Sequence, residues 1–177
     1  SFLDSDDIWR RDILKVVKKI IDENPKSNFI FHDEEKINLN GEKTILLDFA
    51  KYFDQDETLI KQLWRYCIFH TSAITVKRNL LIQKKMFNER LLSSQDWDLW
   101  IRLAEDLKYV HIPQVLGIYI DREQNITNTK SFNGLIDRLK VMTIHWKKSK
   151  ASIWDYLYMV FRRIIAFIFD QIKVIIR

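Results

Sequence analysis

A chain of 177 residues that is 47% hydrophobic and 30% charged, with a net charge of +5, reads as one globular domain and not as a disordered protein. Its single cysteine, Cys67, excludes an internal disulfide framework and fits a reducing compartment, so the cytosol is the expected location. Three glycines and two prolines are too few for a low-complexity linker, and no Gly-rich phosphate loop of the P-loop or dinucleotide type is present.

The basic excess is local: residues 131–177 hold nine Lys and Arg against three Asp, while the rest is nearly neutral. The division this suggests is a catalytic-type body over residues 1–130 and a basic amphipathic helical tail over 131–177. No basic segment leading into an apolar run opens the sequence, and no stretch approaches the roughly 18 to 20 apolar residues of a spanning helix.

In chain order, Phe2-Leu3 delivers Asp4, Asp6 and Asp7 into a turn. Several short carboxylates there suit a hard divalent cation, which takes oxygen ligands. Ile8 to Glu23 has the helical period, with Ile13, Leu14, Val16, Val17, Ile20 and Ile21 on one face, Asp7 as N-cap and Pro25 as stop. Asn28–Phe31 reads as a short strand and Asp33-Glu34-Glu35 as a solvated loop. Asn40-Gly41 marks a hairpin between Lys36–Leu39 and Thr44–Leu47.

Asp54–Tyr66 reads as a helix and Ile68–Val76 as a β-branched strand, while Asn79–Phe87 fits a short helix or a loop. A helix then begins at Ser94 or Gln95, with Trp97, Trp100, Ile101, Leu103 and Ala104 covering one side. Asp96 stands in its first turn, where the helix dipole favours a carboxylate without any functional reason. Tyr109–Ile112 and Val115–Ile120 read as strands split by Pro113, and Phe132–Trp146 and Ile153–Ile176 as helices joined at Lys147–Lys150. His32, His70, His111 and His145 lack the spacing of a zinc site, and Cys67 reads as a small core residue.

The Leu3-Asp4-Ser5-Asp6-Asp7 turn and the later Gln95-Asp96-Trp97-Asp98-Leu99-Trp100 segment together resemble the inverting family-2 glycosyltransferases of the GT-A fold. The resemblance covers roughly residues 1–127. It implies an α/β fold, a partial GT-A-like mixed sheet with flanking helices, followed by C-terminal amphipathic helices. It also implies Mg²⁺ or Mn²⁺ held by Asp4 and Asp6 with Asp7 beside them, and Asp96 as the catalytic base. Trp97 and Trp100 would line an acceptor platform, and Thr71 or Ser72 would lie near the sugar. Arg122, standing about where the family carries a His, would be a cation for the diphosphate. A nucleotide-sugar donor and a glycan or lipid-linked acceptor are the implied partners. The portion supplying most of the nucleotide-binding strands is expected upstream of Ser1, which makes this a carboxyl-terminal segment that is inactive alone.

The stripe formed by Ile153, Trp154, Leu157, Val160, Phe161, Ile164, Ile165, Ile168, Ile172 and Ile175, with Arg162, Arg163, Lys173 and Arg177 beside it, supports several readings. It suits an anionic membrane surface at the inner face of a membrane. It suits equally a buried helix or a homodimer helix, so a non-catalytic docking or interaction module on the same scaffold is the alternative function. Nucleic-acid binding is not expected, because the cations are interleaved with apolar residues and form no polar basic face.

Overall fold

The computed structural model describes residues 1–38, 41–54, 56–121 and 132–175. A mixed sheet of five strands organises them: β1 (Ile8–Trp9), β2 (Phe29–Asn38), β3 (Lys43–Leu47), β4 (Ile74–Val76) and β5 (Tyr109–Asp121). β5 lies between β1 and β2, β3 follows beyond β2, and β4 pairs with Phe29–Phe31 of β2. The β2–β5 pair is parallel, from Phe29 opposite Tyr109 to Asn38 opposite Asp121, and the other three pairs are antiparallel.

β2 is much longer than its apolar start suggests. The segment Asp33-Glu34-Glu35 is not a solvated loop: it continues the strand, with Asp33 6% and Glu34 0% exposed. Partners make this burial tolerable, since a buried carboxylate without one is costly. His111 Nε2 lies 2.8 Å from Asp33 Oδ1, His70 Nδ1 lies 3.0 Å from Glu34 Oε2, and Lys43 and Arg10 reach Glu35. β5 likewise runs through Pro113 instead of breaking there. The pairing register with β2 shifts between His32 and Glu34, opposite Ile112 and Val115, and this irregularity accommodates a residue that cannot donate to the ladder.

Among the described residues six α-helices flank the sheet: α1 (Ile13–Glu23), α2 (Leu59–Arg65), α3 (Arg78–Gln83), α4 (Gln95–Leu103), α5 (Phe132–Ser149) and α6 (Ile153–Ile175). α1 starts later than its period suggests, because Ile8 and Trp9 first pair with Ile118 and Gly117; Asp12, not Asp7, stands at its N-cap. The stretch expected to be a strand over Ile68–Val76 forms a 3-10 turn at Thr71–Ala73 before β4. Residue Asn40 of the expected hairpin turn and Ile176 at the end of the last helix fall outside the described residues.

Alternation along β2 sends Ile30 to one face and Phe29 and Phe31 to the other. Ile30 joins Ile13 and Val17 of α1 and Ile112 and Leu116 of β5. The larger core, on the opposite face, gathers Phe29, Phe31, Leu63, Trp64, Phe69, Leu99, Trp100, Ile101, Val141 and Met142. Each such side chain contributes about 1.5–3 kcal/mol by leaving water. α5 belongs to this core: Val141 and Met142 are fully buried, and Trp64 Nε1 donates to the Met142 carbonyl at 2.8 Å. α6 is different, with Met159 its one fully committed apolar side chain among the described residues.

Candidate active site

The acidic turn is pinned by the 3-10 turn at Thr71–Ala73 and by β5. Ser72, buried in the 3-10 turn, accepts from the Asp4 backbone N–H at 3.0 Å and donates to Asp7 Oδ2 at 2.6 Å. The Ile120 backbone N–H of β5 donates to Asp7 Oδ1 at 3.2 Å, and Trp9 Nε1 donates to the Ser72 carbonyl at 2.8 Å. Asp7 is thereby committed to the turn, whereas the carboxylates of Asp4 and Asp6 carry no hydrogen bond or ion pair to the described residues. Ser72, which the sequence marks only as a hydroxyl near the sugar, is the organising side chain of this turn.

Asp96 enters from α4. Ser94, with φ of 62°, takes a left-handed conformation that turns the chain into the helix, and Asp137 of α5 accepts from the Leu92 and Ser93 N–H groups at 2.7 and 3.0 Å. Asp98, one turn into the same helix, lies 2.7 Å from His145 of α5 and is bound by Arg102. Burial alone would raise the Asp98 pKa, but these two partners outweigh it and hold it below the usual carboxylate range. Gln95 donates to the Leu91 carbonyl at 2.8 Å, so it braces the approach to the helix.

The Asp96 carboxylate accepts from the Trp97 N–H at 2.7 Å and from the Cys67 thiol at 3.7 Å. Desolvation raises its pKa, against the lowering effects of the Trp97 N–H, His70 and Cys67. Cys67 is an exposed residue and not part of the core, yet its thiol is pushed well up by the surrounding protein and then by Asp96, so it stays a protonated donor.

One electrostatic cluster contains both predicted parts of the site. The Asp4 pKa is raised first by desolvation and then by Asp7, Asp6, Asp96 and Glu34. Asp7 is raised by desolvation despite its hydrogen bonds, with Glu34 and Asp6 adding to the effect. Glu34 is thus a site member the sequence did not reveal; its place between Asp4, Asp7 and His70 depends on the length of β2. Its Oε1, like His32 Nε2, is fully buried with no hydrogen-bond partner among the described residues. Gly117 makes room for both, since a Cβ there would come 2.9 Å from Glu34 Oε1 and 3.0 Å from His32 Cε1.

Other predicted residues are placed differently. Trp97 is 2% and Trp100 0% exposed. Neither ring offers an open face, so an acceptor platform is not formed by them; both are core, with Trp97 Nε1 donating to the Leu63 carbonyl. Arg122 lies outside the described residues.

Asp4 and Asp6 suit a hard divalent cation by donor chemistry, since uncommitted oxygens crowded by like charge are relieved by a cation. Asp4, Asp6 and Asp7 do not, however, bring three ligand atoms within 4.8 Å of one another. Among the described residues that arrangement occurs at Asp33, Asp48 and His111. There the atoms already serve the fold. Asp33 Oδ1 accepts from His111 and from the Phe49 N–H at 3.2 Å, and Asp48 caps the 3-10 turn through the Ala50 N–H and pairs with Lys51.

No family model matches the chain. It is 27% identical over 161 residues to an uncharacterized glycosyltransferase of Methanocaldococcus jannaschii, MJ1057, covering 85% of this chain and 51% of the relative. The chain therefore spans about half the length of the curated relative it matches. Its fold superposes on S. aureus TarS with a TM-score of 0.55 at 14% identity, over 89% of this chain and 26% of TarS. The fold is glycosyltransferase-like. That likeness agrees with the mixed sheet and flanking helices read from the acidic turn and the Asp96 helix.

Proposed function

We propose that the chain is part of an inverting, metal-dependent glycosyltransferase resembling family 2, which moves a sugar from a nucleotide-diphosphate donor to a hydroxyl of a glycan or lipid-linked acceptor. The observation that supports this best is that Asp96, from the first turn of α4, is among the charges that raise the pKa of Asp4 in the acidic turn, after desolvation, Asp7 and Asp6, so the two parts lie within electrostatic reach.

Asp96 is the base. It takes the acceptor hydroxyl's proton as that oxygen forms its bond to the anomeric carbon and the bond to the diphosphate breaks on the opposite face. Burial that lifts a carboxylate toward neutrality makes it a better proton acceptor. Mg²⁺ or Mn²⁺, held by Asp4 and Asp6, supplies Lewis-acid neutralisation of the departing diphosphate when bound. Asp7 and Ser72 hold the turn in shape. Because the chain matches only half of its relative, we assign turnover to a longer protein in which the donor's base is bound by residues upstream of this segment, and expect the 177 residues alone to be inactive.

The test is Asp96→Asn in the protein that carries this segment. Loss of transfer by about 10²- to 10⁴-fold, with divalent-cation binding unchanged, is expected for a lost general base. Transfer surviving within a few-fold removes Asp96 from the mechanism.

A second reading, a docking module on the same scaffold, is favoured by one observation: along α6, Trp154 is 77%, Phe161 63% and Phe169 59% exposed. An apolar stripe flanked by cations suits an anionic membrane surface. No described helix is long and apolar enough to cross a membrane. Flotation with anionic vesicles, with and without residues 150–177, decides it: flotation that survives the deletion excludes the helix as the anchor.

A further inference from the structure

The segment from Cys67 to Ser72 joins the base to the acidic turn. At one end the Cys67 thiol lies 3.7 Å from Asp96 Oδ2, and at the other the Ser72 hydroxyl accepts from the Asp4 N–H and donates to Asp7. His70 stands between these two anchors. Its Nδ1 lies 3.0 Å from Oε2 of Glu34, whose side chain is 0% exposed. The Tyr119 ring of β5 lies over the imidazole with centroids 4.9 Å apart, and Phe49 meets it edge-on at 5.8 Å. Three separate stretches of chain thus fix the orientation of the ring. Its other end is open: the His70 side chain is 32% exposed, and Nε2 makes no hydrogen bond to the described residues.

As a partner for Glu34 alone, His70 explains the Nδ1 contact and why that carboxylate tolerates full burial. Such a role does not call for a second nitrogen left open between the base and the acidic turn. Ser72, at the end of the same segment, already commits its hydroxyl to Asp4 and Asp7. In the transfer proposed above, the sugar ring lies between the acceptor hydroxyl at Asp96 and the diphosphate at the acidic turn, which is where His70 stands. A ring hydroxyl suits Nε2 because it both donates and accepts, and so meets an imidazole nitrogen with or without its proton. A diphosphate oxygen only accepts. An imidazole already locked by its neighbours loses little rotamer freedom on binding, so the contact is pre-organised.

We propose that His70 is a contact for the transferred sugar of the donor, with its Nε2 hydrogen-bonded to a ring hydroxyl and Glu34 as the positioning residue behind it. This rests on the glycosyltransferase reading and deepens it by assigning the donor's sugar, and not its diphosphate or its base, to the Cys67–Ser72 segment. The sugar it takes bears a free hydroxyl facing the imidazole.

The protein that carries this segment is titrated in the presence of Mn²⁺ with UDP-glucose, UDP-N-acetylglucosamine and GDP-mannose, and in parallel with UDP and GDP, which lack the sugar. The variant is His70→Asn: its amide N–H takes the place of Nδ1–H and keeps the bond to Glu34, while nothing replaces Nε2. We expect His70→Asn to weaken the nucleotide sugar that the wild type binds best by about fivefold or more, as for one lost hydrogen bond, and to leave the matching diphosphate within about twofold. Equal weakening of the two overturns the assignment, since it places His70 on the diphosphate or in the fold. Unchanged affinity for both makes His70 a partner of Glu34 only, and overturns it as well. The wild type gives a second measurement that does not depend on how the variant folds. In a long-range proton–nitrogen spectrum the His70 Nε2 resonance should shift with the nucleotide sugar and stay in place with the diphosphate; a resonance that moves equally with both sinks the contact. None of these readouts needs turnover. A wild type that binds none of the three nucleotide sugars sinks the glycosyltransferase reading and this contact with it, whereas intact binding that passes unaltered through His70→Asn sinks the contact alone.

Discussion

His145 Nε2 lies 2.7 Å from Asp98 Oδ1, with both side chains almost completely buried, and this pair fixes the helix that carries Asp96 to α5. Arg102 closes the arrangement on the other carboxylate oxygen, 2.9 Å from its Nε. The Asp98–Arg102 ion pair contributes modestly as a whole but is expensive to halve, because the surviving guanidinium keeps its charge and the buried imidazole loses its partner. Asp98→Ala is therefore expected to cost about 3–5 kcal/mol, read as a drop in the urea midpoint at neutral pH.

The same pair sets a pH dependence. The Asp98 carboxyl titrates below its ordinary value of 3.8 in the folded chain, so the unfolded chain binds the proton more readily. Its contribution is present above 3.8 and is lost as pH falls through the lower folded value. In Asp98→Asn that segment of the acid-unfolding curve flattens. A variant whose stability falls below about pH 4 as steeply as the wild type's would show that other carboxylates control the transition.

Asp96 carries the opposite sign. Its pKa is raised, so the folded chain holds the proton more tightly than the unfolded one, and stability falls as pH rises through 3.8 toward the folded value. At neutral pH the ionised carboxylate is a net cost. Asp96→Asn keeps an oxygen for the Trp97 N–H and is expected to raise the melting temperature at pH 7 while lowering the proposed transfer by the factor given above. The gain should vanish below about pH 4, where an ordinary aspartate is largely neutral. A lower melting temperature at pH 7 would mean that the Cys67 and His70 contacts outweigh the desolvation of Asp96.

Gly117 is a packing prediction. With Cβ distances of 2.9 and 3.0 Å to Glu34 and His32, both nearly fully buried, Gly117→Ala must move a side chain that has nowhere to go. Overpacking of this kind costs about 1–3 kcal/mol. Because Glu34 also holds His70, the substitution should shift the His70 imidazole resonances in a proton–nitrogen correlation spectrum, which a remote alanine of equal cost would leave in place.

These residues also show where the sequence could and could not be read. The helical period located α1, α4, α5 and α6 to within a few residues, because an apolar stripe at that period has one stable outcome. Asp33-Glu34-Glu35 misled, since three acids in a row look solvated until His111, His70, Lys43 and Arg10 are known to meet them across other elements. Pro113 misled for a similar reason: whether a proline breaks a strand depends on the register of its neighbour. Trp97 and Trp100 looked as suited to a sugar as to a core, and only packing on Phe29, Leu63 and α5 decided between them. Asp4, Asp6 and Asp96 stood out in the sequence by their types and order, and in the fold Asp96 is among the charges that act on Asp4. Arg163 looked like one more cation on an amphipathic tail; in the fold its guanidinium lies 5.2 Å from the Trp97 ring centroid.

The acidic turn gives the last prediction. Two groups of carboxylates compete for a divalent cation, Asp4 with Asp6 and Asp33 with Asp48 and His111. In the second group Asp33 Oδ1 already accepts from His111 and Phe49, and Lys51 pairs with Asp48, so a cation would have to displace bonds that hold the 3-10 turn. In the first, Asp4 is repelled by Asp7, Asp6, Asp96 and Glu34, and a cation relieves that repulsion without breaking any of these contacts. Mn²⁺ binding, followed by loss of the free-ion paramagnetic resonance signal, is therefore expected to weaken at least tenfold in Asp4→Asn and in Asp6→Asn and to be unchanged in Asp48→Asn. The converse pattern would move the metal centre to the paired strands β2 and β5 beside His111 and leave Asp4 and Asp6 as a purely electrostatic rim around Asp96.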